Sequence, residues 1–236
     1  EIPLRLVGSE MCIRDRTYYD MKRKNLLMLF LFCSLSLFSQ EKLQNKVLVS
    51  ADVGVGFLVG NSNLSPVSPN YRNEYKNGIS ADLKVLYLLN KRIGLGVKYN
   101  YWGTSGKYEL VDVYTNYKDN VSLHYIAPQF ELITPLTNNF NIISTVGAGY
   151  MHYKNKTNLL KWKANTNSFA ANIDIMFEYK ITKRFSARVG ASYLIGNGFK
   201  NMQQTVDDSE SSITWEKERR IKVHRIDCLI GIVGHF

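Results

Sequence analysis

Apolar and polar residues alternate with period two along most of the chain between Val47 and Phe236. Successive side chains of a β-strand point to opposite faces, so this period indicates strands with one apolar and one polar face. Residues 47–59 are the clearest case: every odd position is Val, Ala or Phe, while Ser50, Asp52 and two glycines lie on the other face. No segment after residue 46 shows a helical period of comparable length.

The alternation occurs in eight segments, which predicts eight strands. They are centred on residues 53, 84, 97, 127, 145, 174, 190 and 230. Three connections are short and polar, at residues 90–92, 134–139 and 182–184. Four are long, at residues 61–77, 104–120, 154–167 and 197–219. Because short and long connections alternate, we predict an up-and-down antiparallel sheet with turns at one end and long loops at the other.

The fourth segment contains Pro128, which has no N–H to donate to a neighbouring strand. We therefore expect a bulge or irregularity there. We assign Ile126, Phe130 and Leu132 to the apolar face and Gln129 to the polar face.

The direction of the two faces separates a membrane barrel from a water-soluble barrel of lipocalin type, which places the apolar face inside. Gly and Ser crowd the polar face, as a narrow lumen requires. Aromatic residues collect near both strand ends, as in the aromatic girdles of membrane barrels. A sheet in lipid must also close on itself. We predict an all-β, eight-stranded antiparallel up-and-down transmembrane β-barrel with its apolar face outward.

The N-terminal region predicts a cleavable signal peptide before the barrel. Lys22, Arg23 and Lys24 form a basic segment, and an apolar run over residues 26–38 follows. We place the signal peptide at residues 21–39, with cleavage between Ser39 and Gln40. The barrel domain then covers residues 40–236. Residues 1–20 contain VGSEMCIRDR, which resembles translated sequencing adapter, and we interpret them as a non-native upstream segment.

Composition adds little beyond exclusions. The 236 residues are 45% hydrophobic, which is ordinary for a folded chain. The net charge of +10 does not by itself indicate nucleic acid, and we expect no nucleic-acid partner. Cys228 is the single cysteine after residue 39, so no disulfide framework is predicted. We find no phosphate-binding glycine loop and no metal-ligand spacing, and His235 is too isolated to indicate a metal ligand. We predict no cofactor.

The polar face carries ionisable residues that a closed barrel would enclose. Such charges are costly in a narrow lumen unless they pair, so we expect a filled, salt-bridged lumen. A narrow ion or proton path is the alternative. We also place Lys180 inward at the end of its strand. The predicted lumen charge network comprises Asp52, Asp82, Lys84, Lys98, Glu131, Asp174, Glu178, Arg188, Arg225 and Asp227.

A catalytic set is conceivable but has no defining spacing. Histidines fall near the loop-side strand ends, and one has a serine two positions before it. A lipid-modifying enzyme is therefore an alternative function, although we expect no enzyme. The residues considered are Ser122, His124, His152, His224, Asp207, Asp208 and Glu210.

The signal peptide, the eight strands, the short turns and the terminal segment IDCLIGIVGHF together resemble small bacterial outer-membrane β-barrel proteins, of the OmpA/OmpX-like or PorT-like kind found in Bacteroidetes. The resemblance covers residues 40–236. It implies an outer-membrane location with both termini in the periplasm, and recognition of Phe236 by the barrel-assembly machinery. Its PorT-like side implies a component of a secretion or envelope-assembly machine.

The long connections mix Tyr, Trp, Lys and Asn, as in YRNEYK and KNKTNLLKWKANTN. Such surfaces suit contact with a protein partner or a glycan. Basic side chains near the membrane rim also suit outer-membrane lipid and the phosphates of lipopolysaccharide. The predicted function is a structural or binding protein that presents four surface loops.

Overall fold

Ten β-strands form the part of the chain that this computed structural model describes, namely residues 46–60, 75–110, 113–157, 163–199, 201–206, 209–214 and 221–236. The predicted signal peptide, its cleavage point at Ser39 and Gln40 and the upstream segment lie outside these ranges. Within them, no helix is long and apolar enough to cross a membrane. The strands are β1 (Val47–Leu58), β2 (Asn77–Leu88), β3 (Ile93–Leu110), β4 (Val113–Pro135), β5 (Phe140–Thr157), β6 (Lys163–Lys180), β7 (Phe185–Phe199), β8 (Asn201–Val206), β9 (Ser209–Thr214) and β10 (Ile221–His235).

Eight of these strands close into a barrel. Each of β1 to β6 pairs antiparallel with the next, and β10 pairs with both β7 and β1. The remaining two strands, β8 and β9, form a hairpin that extends from β6 on the side of the long connections. The predicted fold class, an eight-stranded antiparallel up-and-down barrel, is confirmed.

The two faces of the barrel have the predicted chemistry. Apolar side chains cover the outside: Ile79 on β2 is 71% exposed and Ile230 on β10 is 62% exposed. The alternate positions point into the lumen and are buried. Ile93 differs from its neighbours on the apolar face because it is buried at the first position of β3. In a closed barrel with an apolar exterior, the backbone N–H and C=O groups form their hydrogen bonds within the barrel, as a bilayer requires.

The three short turns share one hydrogen-bonding arrangement. The side-chain oxygens of Asn90, Thr137 and Thr182 each accept a hydrogen bond from the backbone N–H three residues later, at 2.8, 3.1 and 3.0 Å. Each also accepts one from the N–H two residues later. Such side-chain turns replace backbone pairing where the chain reverses. We call this end of the barrel the turn end and the opposite end the loop end.

The prediction that the long connections are loops is wrong for three of them. Strands β3 and β4 run to 18 and 23 residues, so residues 104–110 and 113–120 are strand. Residues 154–157 and 163–167 continue β5 and β6, and the last connection contains β8 and β9. Polar outward residues in these extensions alternate with buried ones such as Asn155 and Ala164. The strands therefore continue past the apolar exterior.

The expected bulge at Pro128 does not shift the register. Pro128 pairs with Val97 of β3 in an unbroken ladder. On the β5 side, pairing stops at Ile126 and resumes in the same register at Gln129. The missing N–H is therefore accommodated by a local gap in one ladder, and the assigned faces hold: Phe130 is exposed and Gln129 is buried.

Candidate functional site

The lumen is filled at three levels. At the turn end, Leu48, Leu86, Leu88 and Val233 form an apolar cluster. A middle level contains ionisable side chains. At the loop end, a larger apolar cluster includes Trp102, Leu123, Tyr125, Met151, Tyr153, Leu194, Phe199 and Val223. The charged level is therefore covered by apolar side chains at both ends.

Lys98 lies at the centre of the charged level. Its Nζ is 2.7 Å from a carboxylate oxygen of Asp82 and 3.0 Å from one of Asp174. It also donates a hydrogen bond to the Ser192 hydroxyl at 3.2 Å. Asn172 in turn donates to Asp174 at 2.8 Å, so this carboxylate is held by several donors. The ammonium group of Lys98 thus offsets part of the negative charge of two carboxylates, one on β2 and one on β6.

Lys84 extends this network toward β4 and β5. Its Nζ is 3.2 Å from Glu131 and 3.6 Å from Asp174, and it donates to the Thr145 hydroxyl at 3.1 Å. Thr145 also donates to Glu131 at 3.1 Å. Asp174 therefore joins Lys84 and Lys98 into one network.

Arg225 and Asp227 on β10 form a second ion pair, with Nε and Oδ1 2.7 Å apart. Asn100 links this pair to the first network, because its carbonyl accepts from Arg225 at 2.5 Å while its amide donates to Asp82. Ser80 donates to Asp227 at 3.1 Å. Charged and neutral groups thus alternate across the lumen, which offsets part of the cost of burying these charges, while Nη1 of Arg225 has no hydrogen-bond partner among the described residues.

Arg188 forms a third ion pair, with Asp52. Its Nε donates to Oδ1 at 2.6 Å, and its NH2 group contacts the other carboxylate oxygen and donates to Ser50 at 2.7 Å. This is a bidentate arginine–carboxylate contact, a geometry well suited to compensating two buried charges. Glu178 differs, because it accepts from Asn141 at 3.2 Å and lies 3.7 Å from His235.

All ten residues of the predicted lumen network lie inside the barrel, each 4% exposed or less. Lys180 does not: it ends β6 and is exposed at the turn end. The inward parity is correct there, but the barrel wall has ended, so the side chain reaches solvent. The six carboxylates of the network therefore face only four permanent cations.

Sequence reasoning missed the apolar cluster at the loop end. Trp102 is fully buried and lies next to Arg225, whose guanidinium carbon is 5.4 Å from the ring centroid. A Cβ on Gly56 or Gly78 would come within 2.6 Å of the indole, so these glycines make room for it. Most of the cluster, including Trp102 and Met151, lies in predicted strands on the face assigned as polar, so these large apolar inward residues were the available signal. Phe199 lies in a segment that was predicted to be a loop.

The residues considered for catalysis do not form a triad in the part of the chain that the structure describes. Ser122, His124 and His152 all point outward at the loop-end edge of the apolar exterior. His124 shares a 2.7 Å hydrogen bond with Tyr99, and its ring lies 6.2 Å from that of His152. His224 lies on β10, away from β4, and Glu210 lies on β9. Asp207 and Asp208 lie outside the described residues.

Phe236 is exposed at the turn end, and its backbone exchanges hydrogen bonds of 2.9 and 2.8 Å with Val47. These bonds help to close the barrel between its first and last strands. Cys228 is a free, exposed cysteine on the outer face of β10. His235 shares a 2.8 Å hydrogen bond with Ser186. Over the described ranges, no cluster of three or more His, Cys, Asp or Glu could hold a metal ion.

Closed antiparallel geometry, an apolar exterior and a lumen with a charged middle level define the small outer-membrane β-barrel fold. A major outer membrane protein from Thermus thermophilus superposes with a TM-score of 0.55 at 12% identity, covering 80% of this chain and 99% of that one. Neisserial surface protein A superposes with a TM-score of 0.48 at 13% identity, covering 80% of this chain and 97% of that one. Ail, the attachment invasion locus protein of Yersinia pestis, superposes with a TM-score of 0.45 at 13% identity, covering 82% of this chain and 100% of that one.

The fold assignment rests on the barrel geometry and on the Thermus protein. No protein-family model matches the sequence, and no curated protein matches it.

Proposed function

We propose that this chain is an integral outer-membrane β-barrel protein with a closed lumen, acting as a structural or binding protein through its loop-end hairpins. The observation that carries the proposal is the contrast between its two faces. Large apolar side chains such as Val53 and Ile230 are 60% and 62% exposed outside, while ten ionisable side chains are enclosed inside. This arrangement is stable in a bilayer and costly in water.

The packing of the lumen favours a plug over a channel. Lys84, Lys98 and Arg225 are 2% exposed or less, and each has at least one carboxylate within 3.2 Å. Water-filled pores need a wider ring of strands than eight. An ion would have to break these pairs and pass two apolar clusters, so the narrow-channel alternative requires a rearrangement.

The loop-end hairpins support a binding role because they are extended strands with a packed interior. Buried Leu123, Tyr153 and Ala164 continue the core toward and past the edge of the outer apolar band. A surface held by such a core is preorganised, which lowers the entropic cost of binding. The proposed partners are outer-membrane lipid, lipopolysaccharide and a surface or secretion-machine protein, and barrel-assembly machinery recognising Phe236 during insertion.

The membrane placement is tested by refolding the full chain with and without phospholipid vesicles. We expect a vesicle-bound, protease-resistant barrel whose mobility on a denaturing gel changes on heating. Ile230→Arg, in the middle of the apolar exterior, should destabilise it by about 2–4 kcal/mol, while Ser212→Arg, exposed on β9 and opposite the neutral Gln203, should have little effect. A monomer that is stable in water without detergent would overturn the proposal.

The closed lumen is tested by single-channel recording in planar bilayers. The inserted protein should show no steady conductance, and Asp174→Asn should not create one. Regular openings of fixed size that change with Asp174→Asn would support the narrow channel and contradict the plug. Pull-down of a stable envelope complex would favour the secretion-machine alternative, and loss of activity on lipid A in His124→Ala would favour the enzyme.

A further inference from the structure

Three lysines stand together on the outer surface of the barrel, beyond the loop-end edge of the apolar exterior. Lys154 and Lys156 lie on β5, and Lys163 begins β6. Each alternates with a buried neighbour, Tyr153, Asn155 or Ala164, so the lysine side chains point outward, and all three are exposed. We call them the rim lysines.

Strand register places two of the rim lysines directly opposite each other. Lys156 pairs with Lys163 across β5 and β6, and Lys154 lies two residues from Lys156 on the same face. Directly opposed side chains have Cβ atoms about 5 Å apart, and like charges in that position are destabilising. The pairing therefore has a cost unless an anion lies between the two ammonium groups.

The surrounding outer surface supplies no such anion among the described residues. Lys156 pairs on its other side with Asn120, and Lys154 pairs with Ser122 and Asn165. Over the same ranges, none of the rim lysines forms a salt bridge. Across β8 from Lys163, the next described carboxylate is that of Glu210 on β9. Two strand spacings separate the backbones of Lys163 and Glu210, or about 10 Å.

The position of the rim lysines relative to the apolar exterior indicates which kind of anion would reach them. Toward the turn end, the next outward residues below Lys154 are His152 and Tyr150 on β5, and Phe169 lies beside Tyr150 on β6. Tyr150 and Phe169 are 50% and 61% exposed. Lys154 lies four residues from Tyr150, or about 13 Å along the strand, and Lys156 and Lys163 lie six residues from Tyr150 and Phe169, or about 20 Å. The lysines therefore stand on the headgroup side of side chains suited to acyl chains.

We propose that the rim lysines bind the phosphate groups of a phosphorylated glycolipid in the leaflet around the loop end, with its acyl chains on Tyr150 and Phe169. The inference rests on the proposed membrane placement and names a ligand for that surface. A soluble polyanion would meet the lysines but not the apolar surface below them. A lipid engages both, and its phosphate relieves the repulsion between Lys156 and Lys163.

A direct test counts lipid molecules retained by the full-length barrel, using native mass spectrometry from phosphatidylcholine nanodiscs containing diphosphorylated lipid A. The double variant Lys156→Gln/Lys163→Gln should lose about tenfold or more in apparent affinity. The charge-matched control is Lys76→Gln/Lys222→Gln, two exposed lysines elsewhere at the loop end, and it should bind as the unchanged protein does. Equal loss in both variants would overturn the site.

Two further arms identify the source of the anion. Dephosphorylated lipid A with the same acyl chains should bind the unchanged protein and the double variant equally weakly. Inorganic phosphate at millimolar concentration should not displace the diphosphorylated lipid. Displacement by free phosphate, or no discrimination between the two lipids, would overturn the assignment to a phosphorylated lipid.

Repulsion between Lys156 and Lys163 should make the effect of Lys156→Gln on stability change sign with the lipid, which a merely structural role would not do. In pure phosphatidylcholine, Lys156→Gln should stabilise the barrel against urea, because it removes a like-charge pair. With diphosphorylated lipid A present, the same change should destabilise it. The same sign in both lipids would contradict the inference. Failure of the unchanged chain to insert into either lipid would instead contradict the proposed membrane placement.

Discussion

The middle and the loop end of the lumen are built differently, although both are lined by the same inward face of the same strands. The middle is held by ion pairs such as Arg188–Asp52 and Lys98–Asp174. The loop end is held by packing around Trp102, Leu123 and Met151. Both levels are buried, but ion pairs must satisfy each partner, whereas packing must only fill space.

This contrast predicts which substitutions in the lumen the barrel tolerates. Removal of one charged side chain in the middle level leaves its partner buried without a counter-charge. Removal of one apolar side chain at the loop end leaves a cavity whose cost depends on relaxation. Substitutions at matched burial should therefore separate the two levels.

The largest effect is expected from Arg188→Met, which leaves the Asp52 carboxylate buried without its bidentate partner. Loss of one partner of a buried pair costs about 3–5 kcal/mol. Urea unfolding in phospholipid vesicles measures this change. The control is Lys180→Met, an exposed lysine at the turn end, which should change stability by less than about 0.5 kcal/mol. Equal effects of the two substitutions would mean that Arg188 is solvated.

Leu123→Ala at the loop end should cost about 2–5 kcal/mol, because it removes a buried side chain from the apolar cluster. The same unfolding experiment applies. Val97→Ala is its matched control, since Val97 is half exposed on the outer face. A smaller loss for Leu123→Ala than for Val97→Ala would show that the loop-end interior is not a packed core.

Gly56→Val probes the boundary between the two levels. A side chain there would overlap both the Trp102 ring and the Asp227 carboxylate. Overpacking of this kind costs about 1–3 kcal/mol. Adding Trp102→Phe to Gly56→Val should recover part of the loss if the overlap is the cause. A double variant less stable than the sum of the two single changes would point to a different origin.

The smallest effect is expected from the double change Arg188→Met/Asp52→Leu. Replacing a whole buried ion pair by apolar side chains of similar volume is often nearly neutral. The double variant should therefore recover most of the stability that Arg188→Met loses, to within about 1 kcal/mol of the unchanged protein. Stability no better than that of the single variant would show that the middle level depends on Arg188 beyond this pair.

Sequence pattern predicted the strands and their faces because period two is a local property. The turn positions followed for the same reason, since Asn90, Thr137 and Thr182 form their turn bonds within three residues. The strand extensions at the loop end were missed because their outward residues are polar. Polar outward residues do not alternate in polarity with polar inward ones, so the period-two pattern is lost there. Only the inward positions of these extensions are buried, as Asn155 and Ala164 are.

The period-two pattern alone specifies which side chains face lipid and which face the lumen, because a strand alternates its side chains whatever it packs against. Which lumen residues contact each other depends on the tertiary structure. Arg188 finds Asp52 from 136 residues away, and Lys98 finds Asp174 from 76. These contacts depend on closure of the barrel and on the relative stagger of its eight strands. The stagger is a property of the whole barrel.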